Sequence, residues 1–326
     1  MPGGSVHFAL RCSAVVAGCC SLLLAALPAQ GADSPSDWLE RMATAVQTIN
    51  YEGTVIRVSG DRAEALKVVH TVSDGVVREK LVAQEGNGLE IIRNGNEVHC
   101  ILPGRKSVLI EEWNDQSTLF STLPTSQVSF GSEYDVRIVK EDRVAGRKAL
   151  KLAIKPHDDY RYEHRLWLDA ETGFPLQTQV IGTAGQALEQ VKFADITLGR
   201  EIHASAFMPS YSTEDFRWYS PPRRQVTTVV DSEWSSDDLP LGFRIASSQQ
   251  EQMPGSQELV THLLYTDGLA NVSVFIAEVT DDKVAARSQV GASNTFSTVR
   301  GGRRITAVGE VPAVTVEQIA NSMRQR

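Results

Sequence analysis

The chain has 326 residues, 42% of them apolar and 22% charged, with a formal charge of −8 at neutral pH. This length and composition describe a globular protein with room for two domains, and the acidic balance argues against nucleic acid as a partner. Three of the four cysteines, Cys12, Cys19 and Cys20, sit near the N-terminus, so a chain that loses this stretch keeps Cys100 alone and forms no internal disulfide.

The chain opens with Arg11 ahead of an apolar run at 12–27, followed by the small residues of Pro28-Ala29-Gln30-Gly31-Ala32. This pattern predicts a signal peptide over 1–32 and export of the remainder to the periplasm. Val16-Ala17-Gly18-Cys19 is also compatible with a lipoprotein processing box, which stands as the rival reading. Ser34 is then placed to cap a helix with Pro35 at its first position and Asp37 in its first turn. Trp38, Leu39, Met42, Ala45, Val46 and Ile49 form one apolar stripe at helical spacing.

From 51 to 198 the pattern turns to period two. Strands are predicted at 54–58, 66–72, 76–82, 89–93, 97–102 and 106–111, with turns at Gly60-Asp61, Asp74-Gly75 and Asn94-Gly95. In this register Leu89, Ile91, Val98 and Cys100 share an inward face, which makes Cys100 an inert core thiol. The stretch 113–123, WNDQSTLFSTL, breaks the alternation and predicts a short helix capped by Asp115. Strands resume at 134–140, 149–155, 160–169, 176–181 and 188–198. In the third of these, Tyr162, His164, Leu166 and Leu168 face one way, with Arg161, Glu163 and Arg165 opposite. So long an antiparallel meander predicts a strongly bent sheet or incomplete barrel covered by helices.

Residues 209–224 read as a linker, with Pro209, Pro221 and Pro222; Tyr211, Phe216, Trp218 and Tyr219 make it too aromatic for a passive tether, and it is expected to pack along both domains. A smaller α+β domain is predicted over 225–326. Its centre is ELVTHLLYTDGLANVSVFIAEV at 258–279, a hairpin turned on Asp267-Gly268. With those two residues as the loop, Leu259, Thr261, Leu263, Tyr265, Ala270, Val272, Val274 and Ile276 form one buried face. The other face carries Val260, His262, Leu264 and Phe275 beside Asn271 and Ser273, and is only half suited to water. A second hairpin turns on Gly301-Gly302, and a helix capped by Thr315 ends the chain.

No catalytic constellation is visible: there is no nucleophile elbow, no H-E-x-x-H, no phosphate loop and no paired-cysteine metal spacing. The chain reads as a binding protein rather than an enzyme, with no catalytic residue, metal or cofactor. A bent sheet under a helical lid suits an acyl chain. Trp38 and Met42 on the first helix, with Trp113, Leu119, Phe120 and Leu123 in the lid, are the candidate lining; ordinary core is their plain alternative. The half-apolar hairpin face (His262, Leu264, Phe275) and the aromatic linker (Phe216, Trp218, Tyr219) are candidates for holding a peptide of another protein.

The hairpin segment, with GEVPAVTVEQIANSMR at 309–324 behind it, resembles the MucB/RseB family of periplasmic regulators, a likeness of pattern and order running from about Trp38 to the C-terminus. The turn WLDAETGFPL at 167–176 resembles that of lipoprotein carriers of the LolA/LolB type. The resemblance implies a mainly β fold, with an N-terminal half-open antiparallel barrel over 33–208 and covering helices. It also implies the function: binding the periplasmic segment of a transmembrane anti-sigma factor of the RseA/MucA kind, shielding it from regulated proteolysis, and sensing lipopolysaccharide or lipoprotein acyl chains. A homo-oligomer is left open. The runner-up is a lipid or lipoprotein carrier, against which the second domain speaks; a ligand-free envelope scaffold is the third reading.

Overall fold

The structure, a computed structural model, describes residues 33–113, 119–120, 123, 132–220, 226–229, 232–252, 258–279 and 286–326. The predicted signal peptide and most of the predicted 113–123 helix, including its Asp115 cap, lie outside the described residues.

Helix α1 (Pro35–Thr48) starts on a capping box: the Ser34 hydroxyl accepts from the Asp37 amide at 3.2 Å, and the Asp37 carboxylate accepts from the Ser34 amide at 2.8 Å. Its apolar stripe buries Trp38, Leu39, Met42, Ala43 and Ala45. Eleven antiparallel strands follow in a meander: β1 (Tyr51–Ser59), β2 (Arg62–Ser73), β3 (Val76–Ala83), β4 (Glu90–Asn94), β5 (Glu97–Leu102), β6 (Ser107–Glu112), β7 (Tyr134–Val144), β8 (Arg147–Pro156), β9 (Glu163–Asp169), β10 (Pro175–Ile181) and β11 (Ala187–Leu198). Strand β12 (Arg217–Tyr219) joins β6 in parallel, giving the order β12-β6-β5-β4-β3-β2-β1-β11-β10-β9-β8-β7. Its two edges, β12 and β7, are not hydrogen-bonded to each other, so the sheet bends without closing into a barrel. Helix α1 covers one face. There Ala45 meets Tyr51, Val55, Val68, Leu81, Phe174 and Phe193 in one cluster.

Residues 208–210 run over the opposite face of the sheet. Lys80 Nζ donates to the Met208 carbonyl at 2.6 Å and to Ser210 Oγ at 2.9 Å, and the Ser210 amide donates to Glu90 at 3.0 Å. Packing along both domains was expected from the aromatic content of this stretch, and these bonds reach the first sheet; an added parallel edge strand was not expected, because three residues carry too little pattern to be read.

The C-terminal part holds β13 (Val226–Thr228), β14 (Trp234–Ser236), β15 (Arg244–Gln252), β16 (Leu259–Thr266), β17 (Asn271–Glu278), β18 (Ala286–Val290), β19 (Ser293–Arg300), β20 (Arg303–Gly309), α2 (Ala313–Ser322) and β21 (Met323–Gln325). Seven strands form one sheet in the order β13-β15-β16-β17-β20-β19-β18, and β14 pairs with β21. Val316, Ile319 and Ala320 of α2 pack on Leu263, Val272, Val274, Ile276 and Ile305 of the sheet.

Four expectations are corrected. The β16–β17 register pairs Thr266 with Asn271, so the loop is the four residues Asp267–Ala270. The shift is by two residues, which preserves the faces: Leu263, Tyr265, Val272, Val274 and Ile276 are buried, although Leu259 is exposed. Thr315 lies inside α2, whose N-cap is Pro312 without a side-chain bond, and its hydroxyl donates to the Tyr160 carbonyl at 2.7 Å. Leu89 falls before β4 and is exposed, leaving Ile91, Val98 and Cys100 on the shared face. Arg161, assigned to a polar face, is 1% exposed and among the largest fully buried side chains.

Candidate functional site

Five of the six residues assigned to an acyl site divide between two packed clusters. Trp38 and Met42 belong to a cluster with Leu39, Tyr134, Leu152, Ile154, Leu166 and Leu168. Phe120 belongs to the larger cluster under α1, its ring 6.2 Å from Tyr51, 5.6 Å from Phe174 and 6.3 Å from Phe193. Leu119 packs against that cluster and Leu123 against both. Trp113 stands apart and donates its indole N–H to Glu111 at 2.7 Å. Five of the six are therefore brought together as packed core beneath α1. Cavities of about 430 and 410 Å³ lie beside α1 and its C-terminal end, against the turn that holds Thr172, and none of the six residues lines them.

The partner candidates occupy two sheets. Trp218 and Tyr219 are about half exposed on edge strand β12, with Trp218 edge-on to His99 at 5.4 Å, and Phe216 is half-buried just before them. On the outer face of the C-terminal sheet, His262 stacks on Phe275 at 4.4 Å and shares a 3.0 Å hydrogen bond with Ser273 Oγ; Leu264 is half-buried beside them. Burial lowers the His262 pKa against the pull of Glu251, 3.6 Å away, so the imidazole stays neutral.

Cys100 is half-buried with its thiol pKa raised by burial and then by Glu111, which keeps it protonated and unreactive. Among the described residues no cluster of three metal-ligating side chains occurs.

One group of functional weight had no sequence signal of its own. Asp267, in the β16–β17 loop, is 8% exposed. Its Oδ2 accepts from Arg161 Nε at 2.5 Å and from the Tyr134 hydroxyl at 2.8 Å, while its Oδ1 accepts from the amides of Leu269 at 2.9 Å and Ala270 at 2.7 Å. Arg161 also donates to Asp158 and to the Leu241 carbonyl. Burial opposes the Arg161 charge, but the Asp267 hydrogen bond and charge outweigh it and the pKa rises. Burial, then Asp267, pushes the Tyr134 hydroxyl far up, so it remains a donor. The C-terminal sheet is thereby joined to β7 and to the residues preceding β9. Asn294 to the Tyr162 hydroxyl at 3.0 Å and the Ala292 amide to Glu189 at 3.1 Å extend the junction. Asp158 serves this junction through the bond it accepts from Arg161.

Comparison with known proteins follows the same two-part division. Residues 34–211 match the model of the MucB/RseB N-terminal domain, and residues 228–324 that of the MucB/RseB C-terminal domain. The chain is 34% identical over 307 residues to the sigma factor AlgU regulatory protein MucB of Pseudomonas aeruginosa, covering 92% of this chain and 94% of that protein. Among solved structures it resembles the complex of Pseudomonas aeruginosa MucA and MucB, at TM-score 0.70 and 31% identity over 90% of this chain and 99% of that one. A crystal structure of MucB matches at TM-score 0.57 and 29% identity, over 90% and 98%. With coverage nearly equal, the lower score reflects different geometry rather than missing residues. With both halves matched in order, the chain belongs to the MucB/RseB family.

Proposed function

We propose that the chain, after loss of residues 1–32, is a periplasmic regulator that binds the periplasmic segment of a membrane-anchored anti-sigma factor and shields it from proteolysis. Acyl-bearing signals, lipopolysaccharide or lipoprotein, loosen that hold. The domains are read as 33–208 and 225–326, joined by the aromatic segment 209–224. The observation that carries this reading is the match of both sheets together to MucB in its complex with MucA, at TM-score 0.70. A carrier would use the first sheet alone. For partner contact the half-exposed Trp218 and Tyr219, with Phe216, and the outer face around His262, Leu264 and Phe275 are the surfaces assigned. For the acyl ligand it is the two apolar clusters beneath α1, one around Trp38 and Met42 and one around Phe120. A ligand weakens the complex only if it binds the free regulator better than the bound one.

The test is capture of residues 33–326 by an immobilised periplasmic segment of an RseA/MucA-like anti-sigma factor, with and without lipopolysaccharide. Capture that weakens with lipopolysaccharide is the expected result, and Trp218→Ala and Phe275→Ala should each weaken it while leaving the thermal midpoint unchanged. No capture refutes the reading in favour of a carrier.

A further inference from the structure

Beyond the proposed function, the junction holds a device for joining acyl binding to the arrangement of the two sheets. Among the described residues, the apolar cluster of Trp38, Met42, Leu152, Leu166 and their neighbours has one member from the C-terminal part: Leu269, at the tip of the β16–β17 loop and 8% exposed. Every other fully buried member among the described residues is built into α1, β7, β8 or β9, and the half-buried Leu123 packs on the cluster from outside those elements. Among the described residues Leu269 is thus the one fully buried side chain of the cluster that can leave without breaking an element of the first sheet.

The loop is constructed to keep its shape when it leaves. Asp267 Oδ1 holds the Leu269 and Ala270 amides, while Thr266 Oγ1 accepts from the Gly268 amide at 3.0 Å and donates to the Ala270 carbonyl at 3.0 Å. Gly268 takes the φ of 105° that the tip requires. Only Asp267 Oδ2 reaches across, to Arg161 and Tyr134. One carboxylate therefore does two separable jobs, folding its own loop and binding the other sheet. Withdrawal of the loop exposes both ionic partners to water, which solvates them and limits the cost of release.

We propose that the Asp267–Ala270 loop is a releasable clasp, with Leu269 seated where a long-chain acyl ligand would lie, so that acyl binding and the clasped arrangement of the sheets exclude one another. This rests on the assignment of the acyl site to the clusters beneath α1, here the one around Trp38 and Met42. Occupancy of that cluster then unfastens the C-terminal sheet, which carries the surface around His262 and Phe275.

The test uses residues 33–326 with Cys100→Ser and nitroxide labels at two exposed positions, Glu64→Cys on the first sheet and Ser288→Cys on the second. Palmitate should lengthen the distance between them, measured by pulsed electron resonance. Leu269→Ser should lengthen it without ligand and bind palmitate at least about fivefold more tightly in calorimetry, because the bound-competent state no longer has to displace a leucine. Leu269→Ala, a milder change, should fall between the two and guards against misfolding of the serine variant. Equal palmitate affinity in all three proteins overturns the clasp and leaves the acyl site standing. Binding by none of them overturns the acyl site, and the ligand-gated clasp with it. Even then, an unchanged distance in Leu269→Ser would show that the loop does not hold the sheets at all.

Discussion

Replacing Asp267 with Asn tests the junction most directly. Asn keeps the size of the side chain and one acceptor for the Leu269 and Ala270 amides, but places no charge beside Arg161. The Arg161 side chain has no exposed surface and that of Asp267 is 2% exposed. One-sided loss of such a buried pair costs about 3–5 kcal/mol, because the remaining charge stays buried. Arg161 retains Asp158 and the Leu241 carbonyl, which puts Asp267→Asn at the lower end, about 3 kcal/mol. Arg161→Met strands two carboxylates and should cost at least as much. The double variant should fall short of the sum by about 2 kcal/mol, since the second change removes a charge already uncompensated. Urea unfolding followed by far-ultraviolet circular dichroism measures all three. Because the pair joins two sheets with separate cores, its loss should also split one transition into two. Losses under about 1 kcal/mol, strictly additive and with a single transition, would place the pair among screened surface salt bridges and refute the reasoning.

Burial lowers the His164 pKa to about 4, with the Asp267 and Glu163 charges opposing. The unfolded chain therefore takes up the proton first, at its ordinary value near 6.5. The stability contributed by neutral His164 is complete above that pH and is lost as pH falls towards 4, by roughly 3 kcal/mol at most; His164→Gln should flatten stability over this window in urea titrations. Phe120→Asp buries a carboxylate among Tyr51, Phe174 and Phe193 and should unfold the N-terminal sheet, seen as lost near-ultraviolet dichroism. A cooperative fold with abolished palmitate binding would instead make Phe120 a pure ligand contact. Ser34→Ala removes one half of the α1 capping box and should lower stability by about 1 kcal/mol; no change would mean that the first turn of α1 is frayed.

What was legible in the sequence was whatever depends on neighbours along the chain. Strands β1 to β11 follow from period-two alternation. The turns at Asp74-Gly75 and Gly301-Gly302 join strands through two residues each, both with positive φ, as their composition requires. The same logic applied to Asp267-Gly268 gives the correct faces and the wrong loop, because parity survives a shift of two residues while turn length does not. The difference is that the Asp267 carboxylate has partners 106 and 133 residues away, and nothing in the local pattern records them. Asp and Gly at a hairpin tip are already accounted for by turn geometry, and Arg161 by alternation with Glu163 and Arg165. Thr315 is likewise accounted for by helix capping, although its hydroxyl is spent on the Tyr160 carbonyl. In each case a sufficient local reason conceals a second, long-range one, and the three coincide at the same junction. An interface assembled from turn and cap residues therefore leaves a sequence that reads as ordinary at every position, and a carboxylate can serve its own loop and a distant arginine without any residue type marking the second task.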